Sequence, residues 1–186
     1  MEQKWVNNLN NDEFNLIDND WYPIIKKSAI DKIKSQLIEE GAKLQKVYPK
    51  ESYKISAGEK LNNLPYVVLD FPRIEGPKFN FVCRALFWWG RGIQFQLILN
   101  GKSNEVYAKI LAQSMSSDFV LLGQNLWEND IETAHFCELN SMSEFQKELV
   151  LQANFFKLIR FKPFQLNERF FEDFTLFYQF YAKLVD

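Results

Sequence analysis

Residues 79–101 read FNFVCRALFWWGRGIQFQLILNG, and this stretch decides how the chain folds back on itself. Apolar side chains recur at every second position from Phe79 to Trp89 and again from Ile93 to Leu99. Such period-2 patterning on both sides of a glycine-containing turn is typical of a β-hairpin. The stretch therefore predicts two antiparallel strands that anchor the fold.

The register of this hairpin is predicted by requiring one face to stay apolar. A two-residue loop at Gly90 and Arg91 would place Phe87 opposite Gln94, which mixes an apolar face with a polar one. A three-residue loop formed by residues 90–92 places Phe87 opposite Phe95 and keeps every pair on that face apolar. Because a slip of one residue moves all side chains of a strand to the other face, we predict the three-residue loop.

The opposite face of the predicted sheet mixes polar and aromatic side chains. A further strand at residues 66–71, closed by Pro72, is expected beside the hairpin and would place Asp70 on the same face as Arg84. Polar groups set among aromatic rings are typical of small-ligand pockets. An Asp70–Arg84 pair is equally expected as a structural link between two strands. The candidate ligand-binding residues are Asp70, Arg84, Trp88, Gln94 and Gln96.

Two long helices are predicted from apolar residues at helical spacing. The first is amphipathic, is capped by Asp20 and ends near Val47, shortly before Pro49. The second begins at an Asn167 cap, runs to about Leu184 and is so rich in aromatic residues that most of its surface must be covered. It either packs across the sheet or offers surplus aromatic surface to a partner. The candidate partner-interface residues are Phe171, Tyr178 and Phe180.

The segments between the hairpin and the last helix predict shorter elements. Ser141 and Glu144 have the spacing of a capping box, and the helix that follows would carry Phe145 and Leu149 on one face. The other predicted elements are a helix at residues 103–113 and strands at residues 119–122, 135–139 and 155–162, the last in competition with a continued helix.

Together these elements predict an α+β fold in a single globular domain, residues 1–186, with residues 1–19 loosely packed. An antiparallel sheet of four to six strands, with a meander at its core, packs against the N-terminal amphipathic helix and the aromatic C-terminal helix. The order of helix, three strands, helix, one or two strands and helix resembles that of small bacterial secretion chaperones. The resemblance lies in the order of elements, and it implies a chaperone-like module that binds another protein.

The composition is that of a globular protein with little net charge. Apolar residues make up 47% of the 186 residues, 18 of them phenylalanines, and the formal net charge is −2. That charge gives no general attraction to nucleic acid or to an anionic membrane. The N-terminus lacks the pattern of a secretory signal, and no apolar run reaches the length of a membrane span. We therefore expect no nucleic-acid partner, no membrane insertion and a cytoplasmic location.

Motifs of known catalytic chemistry are missing from the sequence. It contains no phosphate-binding glycine loop, no nucleophile elbow and no zinc-protease motif. The sole histidine, His135, lies near Cys137, but these two residues are too few for a closed zinc site. We expect neither a cofactor nor a metal. The favoured function is a non-enzymatic protein-binding, adaptor or chaperone-like module acting as a homodimer or with a protein partner. The alternative is a binder of a small apolar or amphipathic molecule at the Arg84/Trp88 face, and an enzyme is the least favoured class.

Overall fold

The computed structural model describes residues 10–18, 21–75, 80–101, 103–162 and 170–185, and these residues form one antiparallel sheet covered by helices. The sheet has seven strands in the order β1-β2-β3-β4-β7-β5-β6. The strands are β1 (Lys54–Leu61), β2 (Leu64–Glu75), β3 (Asn80–Trp88), β4 (Gly92–Asn100), β5 (Phe119–Leu121), β6 (Phe136–Glu138) and β7 (Phe155–Lys162). The helices are α1 (Asn11–Asp18), α2 (Trp21–Val47), α3 (Asn104–Gln113), α4 (Glu144–Gln152) and α5 (Phe170–Val185).

This architecture confirms the predicted α+β class with its meander core, formed by β1 to β4. The strands predicted at residues 119–122, 135–139 and 155–162 are present as β5, β6 and β7, and the sheet exceeds the predicted four to six strands because β1 adds an edge strand beside β2. No helix in the described part of the chain is long and apolar enough to cross a membrane. The predicted caps Asp20 and Asn167 and the residue Phe79 lie outside the described residues.

The helices pack against one face of the sheet, which we call the helix face. The alternation of each strand turns one set of apolar side chains toward this face, where the helices bury them. Members from the strands include Leu69, Phe71, Phe81, Cys83, Phe95, Leu97 and Leu158, and members from the helices include Leu37, Leu44, Tyr107, Ile110, Val150, Phe174, Phe177 and Tyr181. The C-terminal helix therefore supplies much of the aromatic core.

The predicted hairpin register is wrong by two residues. Phe87 pairs with Ile93 and Ala85 pairs with Phe95, so the loop consists of residues 89–91. The observed and predicted registers differ by an even number of residues, and both therefore keep the apolar side chains on the same face. An apolar face excludes a shift of one residue, but it does not distinguish between two registers that are two residues apart.

The conformation of the turn explains the observed register. Gly90 and Gly92 have φ angles of +71° and +97°, and residues other than glycine rarely adopt such positive values. Gly92 pairs with Trp88 at the end of the hairpin, and a Cβ atom on Gly92 would lie 2.9 Å from Cε2 of Phe161. The glycine therefore provides both the backbone conformation and the space that this end of the sheet requires.

Pro72 does not close β2, contrary to the prediction. Asp70 pairs with Arg84 and Arg73 pairs with Val82, so the two residues 71–72 oppose a single residue of β3. This arrangement is a β-bulge, where a proline is tolerated because its missing N–H breaks no regular pair. The extra residue also turns Arg73 to the same face of the sheet as Asp70.

The predicted capping box is displaced by two residues. Ser143 and Gln146 form it: the backbone N–H of Gln146 donates to Oγ of Ser143 at 3.3 Å, and the backbone N–H of Ser143 donates to Oε1 of Gln146 at 2.8 Å. Ser141 instead ends a short 3₁₀ helix, where its hydroxyl donates to the carbonyl oxygen of Glu138 at 3.0 Å. Because its side chain is used there, Ser141 does not cap α4.

We predict that alanine destabilises the protein more at Gly92 than at Gly90. Both substitutions force an L-residue to a positive φ, which costs about 1 kcal/mol. Only Gly92→Ala also introduces a methyl group against Phe161, so we expect a loss of about 2–3 kcal/mol in the free energy of unfolding. Urea denaturation of both variants measures the difference, and equal losses would contradict the role given to the Phe161 contact.

Candidate functional site

Part of the second face of the sheet, around Gln94, Gln96 and Lys157, is covered by the segment 122–135, which we call the covering loop. Nε2 of Gln94 donates to the backbone carbonyl of Asn129 at 2.9 Å. Nε2 of Gln96 donates to Oδ1 of Asn129 at 3.0 Å and to Oε1 of Gln94 at 2.8 Å. All three residues are buried. The two glutamines that were candidates for ligand binding thus hold the protein's own loop.

Lys157 is the central residue beneath the covering loop, and the sequence reasoning missed it. It lies on β7, and only 1% of its surface is exposed. Its ammonium donates to the carbonyl oxygens of Leu126 at 3.1 Å and Glu128 at 2.5 Å, and to Oδ1 of Asn129 at 2.9 Å. Three acceptors match the three N–H groups of an ammonium. Lys157 therefore anchors the covering loop to the sheet.

The surroundings of Lys157 change its protonation. Burial lowers the pKa of Lys157 to about 7, and the positive charge of Arg84 contributes to the lowering, whereas the carboxylate of Glu128 opposes it. If Lys157 lost its proton, the neutral amine would have two N–H donors for the three acceptors in the loop. The anchor thus combines a full set of hydrogen bonds with an unfavourable burial of charge.

Asp70 and Arg84 form the predicted pair between β2 and β3. Nε of Arg84 donates to Oδ1 of Asp70 at 2.7 Å, and Nη2 donates to Oδ2 at 3.1 Å. The guanidinium carbon of Arg84 also lies 6.0 Å from the ring centroid of Trp127 in the covering loop. The pair forms one wall of a small cavity of about 190 Å³, which lies between the sheet and Leu126 and Trp127.

Trp88 does not reach this cavity. Only 1% of the residue is exposed, and its ring packs with Val68 and Leu86 while its Nε1 donates to the carbonyl oxygen of Leu61 at 3.1 Å. Trp127, by contrast, is 70% exposed at the cavity mouth. The five candidate ligand-binding residues therefore separate into Asp70 and Arg84 at the cavity and three residues that are engaged with the protein itself.

The candidate partner-interface residues of α5 lie in three different environments. Tyr178 is buried, and its ring centroid lies 5.1 Å from those of both Tyr48 and Phe71. Phe171 is half-buried and packs edge-on against Phe170. Phe180 is 37% exposed and borders a depression of about 560 Å³ beside α5. Only Phe180 among the three offers substantial surface to another molecule.

A larger apolar groove lies between α3 and α4. Its volume is about 780 Å³, and Ala108, Leu111 and Ala112 of α3 face Phe145 and Leu151 of α4 across it. Phe145 is 69% exposed, and Leu149, one turn further along α4, is 46% exposed. The two residues share a helical face, as predicted, and that face is turned to solvent because α4 uses Val150 to contact the core.

The described residues offer no cluster of three or more His, Cys, Asp or Glu side chains that could hold a metal ion. His135 is largely exposed, and its Nδ1 lies 3.8 Å from a carboxylate oxygen of Glu128. Cys83 and Cys137 are both free thiols, and burial raises the pKa of the Cys83 thiol. The buried thiol is therefore unreactive as a nucleophile.

Comparisons with protein-family models, curated proteins and solved structures gave no match to this chain. Among the described residues, the surfaces that could contact another molecule include the α3–α4 groove, the depression beside α5 and the cavity at Arg84 and Trp127.

We predict that the protein becomes more stable as the pH rises above 7. The pKa of Lys157 is about 7 in the folded protein and 10.5 ordinarily, so the unfolded chain binds more protons between these values. The contribution of Lys157 to stability then increases with pH across that interval, by at most about 1.4 kcal/mol per pH unit, and it is lost as the pH falls to 7. Above about pH 9 the raised pKa of Cys83 opposes this increase.

Urea denaturation between pH 6 and 9.5 measures this dependence. Lys157→Met should be less stable throughout, because three loop acceptors lose their donor, and it should lack the rise with pH. Lys162→Met provides a matched control on the same strand, since Lys162 is 40% exposed and pairs with Asp173. If the stability of Lys157→Met still rose with pH, the pH dependence could not be assigned to Lys157.

Proposed function

We propose that the protein is a non-enzymatic protein-binding module, of an adaptor or chaperone-like kind, and that its α3–α4 groove receives an amphipathic helix of a partner. The observation that carries this proposal is the exposure of Phe145, which lines the groove, together with that of Leu149 one turn further along α4. Neighbouring exposed apolar side chains beside an apolar depression mark interaction sites.

The shape of the groove favours a helix as its occupant. Ala108 and Ala112 lie one turn apart on α3, and their small side chains allow the backbone of a third helix to approach closely. Leu111 and Leu151 supply apolar contacts deeper in the groove, and Phe145 forms one wall. Grooves between two helices bind an amphipathic helix through apolar residues spaced three, four and seven positions apart.

Charges at the rim of the groove favour a basic partner. Lys147 Nζ lies 2.6 Å from Oε1 of Glu144, so these two charges offset one another. Glu148, the next rim residue on α4, leaves the rim with a net negative charge. A helix that carries Lys or Arg beside its apolar face would complement this rim, and such complementarity mainly contributes specificity and association rate.

The alternative of a small apolar or amphipathic ligand at the Arg84/Trp88 face receives less support. Trp88, Gln94 and Gln96 bind other parts of the chain, and the cavity beside Arg84, at about 190 Å³, is below the range of about 300–1,000 Å³ typical of such sites.

The two free thiols agree with the proposed cytoplasmic location, where disulfides are rare.

We predict that Phe145→Glu abolishes binding of the partner helix without destabilising the protein. Panning a displayed library of helical peptides against the wild-type protein should enrich sequences with the apolar spacing above and flanking basic residues. Binding of the enriched peptides, measured by fluorescence anisotropy, should weaken at least about tenfold in Phe145→Glu, a loss of about 1.4 kcal/mol. Its urea unfolding midpoint should be unchanged because the side chain is exposed.

Ile38→Glu on α2 is the matched control, since Ile38 is 48% exposed and lies outside the groove. This variant should bind the peptides as the wild type does. Equal binding to Phe145→Glu would contradict the proposal. Light scattering provides a second test: a wild-type dimer that Phe145→Glu dissociates would show that the groove binds a second copy of this chain instead.

A further inference from the structure

The cavity beside Trp127 lies on the opposite side of the sheet from the proposed partner groove. It has a volume of about 190 Å³, with Val82 and Ile98 among the sheet residues that line it and Trp127 at its mouth. The polar groups around it are Arg73, Arg84, Asn80, Asn100 and Asp70. Two guanidinium groups and two side-chain amides thus surround a space that is large enough for a small ion.

The β-bulge in β2 is what brings Arg73 to this cavity. In a regular strand Arg73 would face the opposite side from Asp70, because the two positions are three residues apart. The bulge at residues 71–72 adds one residue to β2, so that Arg73 pairs with Val82 and shares the face of Asp70 and Arg84. Bulges commonly redirect a side chain in this way next to functional sites.

Arg84 keeps donors for a ligand although it is paired with Asp70. A guanidinium has five N–H donors, and the pair uses one on Nε and one on Nη2. The side chain of Arg84 is only 17% exposed, so its charge acts in surroundings less polar than water. Its remaining donors are of the kind that bind carboxylate and phosphate oxygens.

The charge balance of the cavity favours an anion. Arg73 and Arg84 carry two positive charges against the single negative charge of Asp70. Lys157 lies close enough to Arg84 for the two cations to repel each other. Asn80 and Asn100, which pair directly across β3 and β4, add uncharged donors at the same end of the sheet.

We propose that this cavity binds a small oxyanion, a phosphate or a carboxylate group, between Arg73 and Arg84 beneath Trp127. Its volume equals that of about six water molecules in the liquid, which is enough for inorganic phosphate or a short carboxylate. This site is independent of the partner groove, and either can fail without the other.

The test is a titration of the full chain with sodium phosphate and, separately, with sodium acetate, at constant ionic strength maintained with sodium chloride. NMR of the tryptophan indole N–H groups follows the titration, and Trp127→Phe assigns the signal of Trp127. We expect that signal to shift and saturate with at least one of the two anions. The anion that saturates at the lower concentration identifies the preferred oxyanion.

Two variants determine whether the cavity is responsible. Arg73→Gln should raise the dissociation constant at least about tenfold and leave the fold intact, because Arg73 is exposed. Lys32→Gln, which also removes one exposed positive charge but lies on α2 away from the cavity, should leave the dissociation constant unchanged. No saturation with either anion, a shift that chloride alone reproduces, or unchanged affinity in Arg73→Gln would overturn the proposal.

Discussion

The hydrogen bonds of the Lys157 ammonium with the covering loop are the interaction on which the second half of the architecture depends. In the described part of the chain the helices cover one face of the sheet, and a loop outside the regular strands covers part of the other face. Lys157 supplies donors to Leu126, Glu128 and Asn129, and Gln94 and Gln96 bind the same asparagine. This anchoring accounts for the burial of β4 on both faces along nearly its whole length.

The alternation of apolar residues predicted the faces of the sheet but not its register. Phe87 and Phe95 lie on one apolar face of the sheet as predicted, and the helices cover that face, yet the two residues are not paired with each other. A face pattern repeats every two residues, so it leaves registers two residues apart equivalent. Which of the two registers forms depends on the backbone conformation at Gly90 and Gly92 and on the ring of Phe161, which comes from a distant part of the chain.

The contacts of the candidate site residues could be predicted from the sequence only where they join two strands that are neighbours along the chain. The Asp70–Arg84 pair follows from strand order and alternation, and it is present. The engagement of Gln94 depends on a loop that begins some thirty residues further along, which no local pattern reveals. A signal for Lys157 did exist: it is a cation among the apolar residues of a central strand, where a charge requires partners.

The ends of the sheet bear on how the protein can meet other molecules. β6 at one edge has three residues, and β1 at the other edge carries Lys54, Glu59 and Lys60 on exposed positions and shifts register between Gly58 and Leu61. Short, charged or irregular edges oppose the addition of a foreign strand. These edges therefore oppose growth of the sheet by strand pairing between molecules, which leaves side-chain surfaces as the places for association.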